Sequence, residues 1–161
     1  MIDFVFQNPW LVPALPLTGF VLVGLFLRPR LPKLGALVAT TAVVLSFFSA
    51  LAIASKFFAL GAASGEGPAA AQVAWQFNWL HFQEGLAVHL GVLLDPISVM
   101  LMVVVTAVSS LVHIYSLGYM HGDPGFGRFF TYLNLFTFSM LGLVAAPNIF
   151  QMFVFWELVG A

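Results

Sequence analysis

Apolar positions in this sequence fall in long unbroken runs instead of the spaced stripe of a helix that buries one face. Segments without a charged residue cover 4–27, 34–55, 96–122 and 129–156. A membrane span takes roughly 20 mostly apolar residues, so each run is long enough to cross a bilayer. Helix 1 is expected over 10–27, with Pro13 and Pro16 in its first turns, where a missing backbone donor costs least. Helix 2 is expected over 35–60, followed by a loop at 61–68 that is rich in Gly, Ser and Pro.

The period changes after that loop. Val73, Trp75, Phe77 and Trp79 alternate with Ala74, Gln76 and Asn78, which is the two-residue period of a strand. A second alternating run, Leu86, Val88, Leu90 and Val92, follows the turn-like Gln83-Glu84-Gly85. Together they predict a β-hairpin on the outer face of the protein, with Trp75 and Trp79 suited to an interfacial aromatic belt.

Helical signals then return. Asp95-Pro96 is a strong helix start, because Asp can accept orphan amide hydrogens as N-cap and Pro fits the first helical position. Helix 3 is expected from there to about Gly118, a turn at 121–125, and helix 4 over 128–146. Pro147-Asn148 separates helices 4 and 5, and Asn148 with Gln151 three residues later has the form of a capping box. The fold class expected is therefore an all-α membrane protein of about five transmembrane helices with an extracytoplasmic β-hairpin between helices 2 and 3.

Composition narrows the function. Of the 161 residues 61% are hydrophobic and 7% charged, too few charges to cover a water-soluble fold. Net charge is −1 with no basic patch, so nucleic acid is not an expected partner. There is no Cys, which rules out disulfides and thiolate-held metal or iron–sulfur centres within these residues, and any electron transfer must happen elsewhere. Asp3 stands where a cleaved signal peptide would be cationic, so the first helix is read as retained. Arg28, Arg30, Lys33 and Arg128 fall on one side of the expected topology and Lys56 near the other, which puts the N-terminus and the hairpin outside.

Two side chains stand out chemically. Nine residues after Asn148, at about 1.5 Å each, Glu157 is expected roughly 13 to 14 Å into the bilayer, near its midplane. A central charge costs about 2.5–3.5 kcal/mol on insertion scales, so a carboxylate there reads first as part of a proton or ion path. The alternative is a carboxyl kept neutral by burial or bonded to a neighbouring helix. A relay would need a partner charge, and no Lys lies deep in any expected span. His113, roughly 8 Å below the other surface, can exchange protons near neutral pH or can simply hold a backbone carbonyl. Metal binding is disfavoured, since His81, His89, His113 and His121 share no ligand spacing. Tyr115, Tyr119 and Tyr132 read as interfacial anchors. Arg128 reads as a topology determinant that can pair with Asp123. Thr131, Asn134, Thr137 and Ser139 read as interhelical hydrogen-bonding groups. After Asn148 thirteen residues remain, about 20 Å of helix, so the expectation is a piece of a longer protein that stops inside its fifth span.

Four segments occur in a familiar order and spacing: Leu94-Asp95-Pro96-Ile97-Ser98-Val99-Met100, His113 to Met120, Arg128 to Asn134 with Phe129-Phe130, and Phe155-Trp156-Glu157-Leu158-Val159-Gly160. Together they resemble the N-terminal part of subunit L of proton-translocating NADH:quinone oxidoreductase, respiratory complex I, a subunit called chain 5 in mitochondria and present also in photosynthetic relatives of the complex. The resemblance implies a membrane-arm subunit homologous to cation/proton antiporters. It implies three parts: helices 1 and 2 over 1–71, the chain-5-type N-terminal region over 72–122, and the start of the proton-translocating core over 128–161. Glu157 then matches the family's glutamate, which pairs with a lysine on a later helix. The resemblance further implies no cofactor in this chain, with FMN, iron–sulfur clusters and quinone in partner subunits. The expected partners are other membrane-arm subunits and the lipid bilayer, without direct NADH contact. A bacterial plasma membrane is the expected location, and no activity is expected of this piece alone. Two alternatives stay open: the large subunit of a multisubunit sodium/proton antiporter, which shares this architecture, and a membrane scaffold that transports nothing.

Overall fold

The computed structural model describes residues 2–27, 31–64, 70–81 and 87–160. In chain order the described elements are α1 (Ile2–Gln7), α2 (Leu11–Val21), α3 (Pro32–Ser64), β1 (Gln72–His81), β2 (Ala87–Leu94), α4 (Pro96–Tyr119), α5 (Phe126–Val144) and α6 (Ile149–Gly160). The expected cations Arg28 and Arg30 and the turn at Gln83-Glu84-Gly85 lie outside the described residues.

Local sequence explains most boundaries. Asp95 starts α4 as expected: its Oδ1 accepts from the Ser98 amide at 2.6 Å and Pro96 takes the first helical position. Helix α3 runs four residues beyond the expected Leu60, because Ala62 and Ala63 favour helix more strongly than the loop-like composition suggests. Helix α5 begins two residues before Arg128, with Gly125 as its N-cap. The short α1 was not apparent from the pattern.

Helix α2 widens into π-helical form over Leu22–Leu27, where a Cβ on Gly24 would come within 3.0 Å of Thr131 Cγ2. Earlier in α2, Pro16 brings no amide hydrogen to the Val12 carbonyl. The Ser46 hydroxyl of α3 donates to that carbonyl instead, at 2.6 Å. A helix defect is thus repaired from the neighbouring helix.

The two strands pair antiparallel, with register breaks between Val73 and Trp75 and between Asn78 and Leu80. Val88, Val92 and Leu94 are buried, whereas Trp75, Phe77 and Trp79 of the outer strand are exposed. Val92 and Leu94 join Val12, Phe57, Met102 and Leu141 in an apolar cluster at one end of the helices. Val23, Ala36, Ala39 and Phe130 form a second cluster. On α5 the segment between Phe130 and Leu141 carries the buried polar residues Thr131, Asn134, Thr137 and Ser139.

Helices α3 and α4 are long and apolar enough to cross a membrane, over Pro32–Ala63 and Pro96–Tyr119, whereas Leu11–Leu27 and Ile149–Gly160 are apolar but shorter. The mostly helical fold with one hairpin between the second and third long helical segments agrees with the sequence reading. The distribution of polarity across α4 is inverted relative to a water-soluble helix. Its exposed face carries Ile97, Val104, Val108, Leu111 and Ile114, and its buried face carries Ser98, Thr106, Ser109, Ser110, His113 and Ser116.

Candidate functional site

The interior polar layer centres on His113 of α4, which is completely buried. Its Nδ1 lies 2.7 Å from the Ser109 carbonyl one turn earlier. Its Nε2 lies 3.3 Å from Nδ2 of Asn134, across the interface with α5, and Nδ2 also donates to the Phe130 carbonyl at 3.0 Å. A carbonyl only accepts, so Nδ1 carries the hydrogen and Nε2 accepts from Asn134. The imidazole is held as a neutral ring in one tautomer, beside the Phe130 ring at 5.9 Å between centroids.

The other polar residues of α5 behave differently from the expectation. Thr131, Thr137 and Ser139 donate to carbonyls four residues earlier, those of Gly127, Leu133 and Leu135. Their hydroxyls reach the preceding turn more easily than a neighbouring helix. Of the four, Asn134 alone has the reach to bond across an interface in the described structure. Arg128 and Asp123 also do not pair: Asp123 Oδ1 accepts from the Gly125 amide at 2.5 Å, closing the turn before α5. Tyr115, Tyr119 and Tyr132 are exposed, and the first two stack.

Glu157 occupies a different setting. Gln151 is buried, and Phe155, one turn later, is half-buried beside Phe138 and Gly142 of α5, so this face of α6 is the packed one. Glu157 falls on the opposite face, exposed, in a hollow of about 260 Å³ lined by Ile149, Met152, Phe153 and Trp156. Among the described residues its carboxylate has no hydrogen bond or ion pair. His113 lies between α4 and α5 and Glu157 on the face of α6 turned away from α5, so the structure does not bring them into one site.

Of the capping box expected from Asn148 and Gln151, half forms. Asn148 Oδ1 accepts from the Gln151 amide at 2.9 Å. The Gln151 side chain does not return to Asn148. Its Oε1 accepts from the Gly91 amide at 2.7 Å, and its Nε2 donates to the carbonyls of Gly91 at 3.0 Å and Gly142 at 3.2 Å. Asn148 Nδ2 donates to the His89 carbonyl at 2.6 Å, and the Ala145 carbonyl accepts from Leu93 at 2.9 Å. Alternate residues of β2 point their backbone groups away from β1, and the α5–α6 junction satisfies this edge. The sequence signal for Gln151 was local, whereas its partner lies 60 positions away.

At the hairpin end Lys56 of α3 forms an ion pair with Asp3 of α1. That pair docks α1 on the end of α3 nearest the strands. The opposite end gathers Pro32, Lys33, His121 and Asp123 around one hollow, so the α2–α3 and α4–α5 connections lie side by side.

The family described as NADH-Ubiquinone oxidoreductase (complex I), chain 5 N-terminus matches residues 79–130, a stretch that includes His113. The chain is 39% identical over 166 residues to NAD(P)H-quinone oxidoreductase subunit 5, chloroplastic, of Chara vulgaris, covering 98% of this chain and 24% of that protein. The family resemblance is to complex I chain 5, at its N-terminal region. A second relative, NAD(P)H-quinone oxidoreductase chain 5 of Synechocystis sp., is 37% identical over 159 residues, covering 98% of this chain and 23% of its own length. The chain thus spans about a quarter of the length of these relatives. Its fold also matches a chain in the structure of the membrane-bound sulfane sulfur reductase (MBS), an archaeal respiratory membrane complex. That match has a TM-score of 0.71 at 20% identity and covers 95% of this chain and 28% of the other.

Proposed function

We propose that these residues form the N-terminal part of a membrane-arm subunit of an NADH:quinone oxidoreductase, in which electron transfer in other subunits drives proton translocation. The observation that carries this reading is the similarity over 98% of the chain to NAD(P)H-quinone oxidoreductase subunit 5. The inverted polarity of α4 supports a lipid surrounding, because an apolar exterior over a hydrogen-bonding interior is stable in hydrocarbon and unstable in water. FMN, iron–sulfur clusters and quinone belong to partner subunits in this reading, and the chain itself touches no NADH.

In the same reading α2 with its π-helical extension, α3, α4, α5 and α6 are five membrane-crossing segments, the remaining and shortest helix, α1, lies at the surface, and the hairpin end faces outside. Lys33 and Arg128 at one end of the fold support that orientation through the positive-inside rule. The residues divide as 1–71, 72–122 and 128–161, the last opening the proton-translocating core. A bacterial plasma membrane is the proposed location.

Glu157 is the proposed proton-relay carboxylate. Its place on the face of α6 turned away from α5 leaves it open to a cationic partner, a lysine on a later helix. Such a pair moves a proton because the carboxyl holds its proton when the cation is distant and releases it when the cation approaches. His113 is the proposed second relay, reached through the polar layer of α4 and α5.

Purification of the full-length subunit from its native membrane tests the assignment. Co-purifying flavin and iron–sulfur subunits with NADH:quinone reductase activity are the expected result. A complex of small membrane subunits without redox centres would favour the sodium/proton antiporter reading instead.

A further inference from the structure

One amide in the polar layer is oriented by its surroundings alone. The end of Asn134 that faces the Phe130 carbonyl and His113 Nε2 must be the NH2 group, because the carbonyl cannot donate. The other end, Oδ1, points at α2, where a Cβ on Gly19 would lie 2.7 Å from it. Asn134 itself is completely buried, and Oδ1 is the one buried side-chain oxygen or nitrogen among the described residues with no hydrogen-bond partner. A buried acceptor left without a donor is destabilising, so its place beside a titratable ring calls for an explanation.

Protonation of His113 supplies one. A proton arriving on Nε2 forms an N–H bond there, and the imidazolium then has two donors and no acceptor. That hydrogen would face the hydrogens of Asn134 Nδ2. Turning the amide over trades that conflict for a weaker one: Oδ1 accepts the new Nε2–H but now faces the Phe130 carbonyl, which can only accept, so the turned amide is held only while Nε2 keeps its proton. Release of the proton reverses each change. The charged side chains on the helices packed against α4 are Lys33 and Lys56 of α3 and Arg128 of α5, each toward a helix end. Tyr115 and Tyr119 of α4 and Tyr132 of α5 are exposed, and His89 of β2 is engaged by Asn78. None of the hydrogen bonds of His113 is to a charged group, so the amide is the group that answers the change.

We propose that Asn134 is a positioning residue for proton uptake at His113: its amide selects Nε2 as the accepting nitrogen and turns over when the proton arrives. The proposal rests on the reading of His113 as a relay. The test uses the full-length subunit in its assembled complex, reconstituted in vesicles, with initial rates of NADH-driven proton movement measured across pH. Asn134→Asp offers Nε2–H an acceptor without any turn, so the pH profile of pumping is expected to move alkaline by roughly one unit or more. In the double variant with His113→Gln the shift is expected to vanish. An assembled Asn134→Asp complex with an unmoved profile, or a shift that survives without His113, would overturn the proposal. If His113→Gln alone leaves both the amount and the pH profile of pumping unchanged, the relay reading itself falls, which is a separate outcome. Solid-state NMR of the unsubstituted complex, labelled at histidine ring and asparagine amide nitrogens, gives a check that needs no variant to fold. The ring nitrogen nearest an asparagine Nδ2 is expected to be unprotonated at neutral pH, and a protonated one would overturn the assignment.

Discussion

Gln151 holds both backbone groups of Gly91, accepting from its amide at 2.7 Å and donating to its carbonyl at 3.0 Å. A third bond from the same side chain reaches the Gly142 carbonyl, so one amide ties β2 to both α5 and α6. Gln151→Leu would leave these buried backbone groups unpaired, at about 1–3 kcal/mol for each group that finds no water. The expected result is a lower thermal midpoint for the full-length subunit and faster hydrogen exchange at residues 89–93. Unchanged exchange there would show that the clamp contributes nothing.

Gly91 itself is fixed by close approach. A Cβ at this position would sit 2.6 Å from the Trp75 carbonyl and 3.2 Å from Pro147 Cγ. Gly91→Ala is expected to cost about 1–3 kcal/mol by forcing β2 off one neighbour. Gly118→Ala, where a Cβ meets nothing within 4 Å, is expected to be neutral or stabilising by up to about 1 kcal/mol. Paired thermal unfolding of the two variants checks the contrast.

Gly19→Ala brings a methyl against Asn134 Oδ1 at 2.7 Å and Ala42 Cβ at 3.1 Å, so α2 must move away from α5 or the amide must turn. Destabilisation of about 1–3 kcal/mol is expected. A normal thermal midpoint would mean that α2 packs less tightly at this crossing than the structure has it.

The Asp3–Lys56 pair gives a pH dependence with a definite sign. Lys56 holds the Asp3 carboxyl below its ordinary value, by the hydrogen bond first and by charge second. A carboxyl lowered in the folded state adds stability above its unfolded value, and the contribution is lost as pH falls through the folded value. Docking of α1, followed by proteolysis of residues 2–8, is therefore expected to loosen in acid. Lys56→Gln removes that dependence, and a variant that still loosened in acid would contradict the assignment.

Much of this arrangement is legible in local sequence. Asp95-Pro96 and Asn148 mark helix starts through bonds made within three residues, and the alternation of Val73 to Trp79 marks a strand. What escaped depends on contacts between distant residues. Gln151 looks like the second half of a capping box until Gly91 is placed beside it. Thr131 and Asn134 look equally suited to bridge helices, yet the threonine hydroxyl reaches only its own preceding turn while the longer amide reaches His113. The sequence also marks Glu157 as unusual. That it faces away from α5 follows from the burial of Gln151 and the packing of Phe155 against α5.

Glu157→Gln in the full-length, assembled complex tests most directly whether Glu157 is the proton carrier. Glutamine keeps the shape and polarity of the side chain but cannot take up and release a proton. With NADH oxidation as the driving reaction, protons moved per electron across vesicle membranes are the measurement. The predicted result is a clear fall in that ratio with assembly intact. An unchanged ratio in a normally assembled complex would contradict that role.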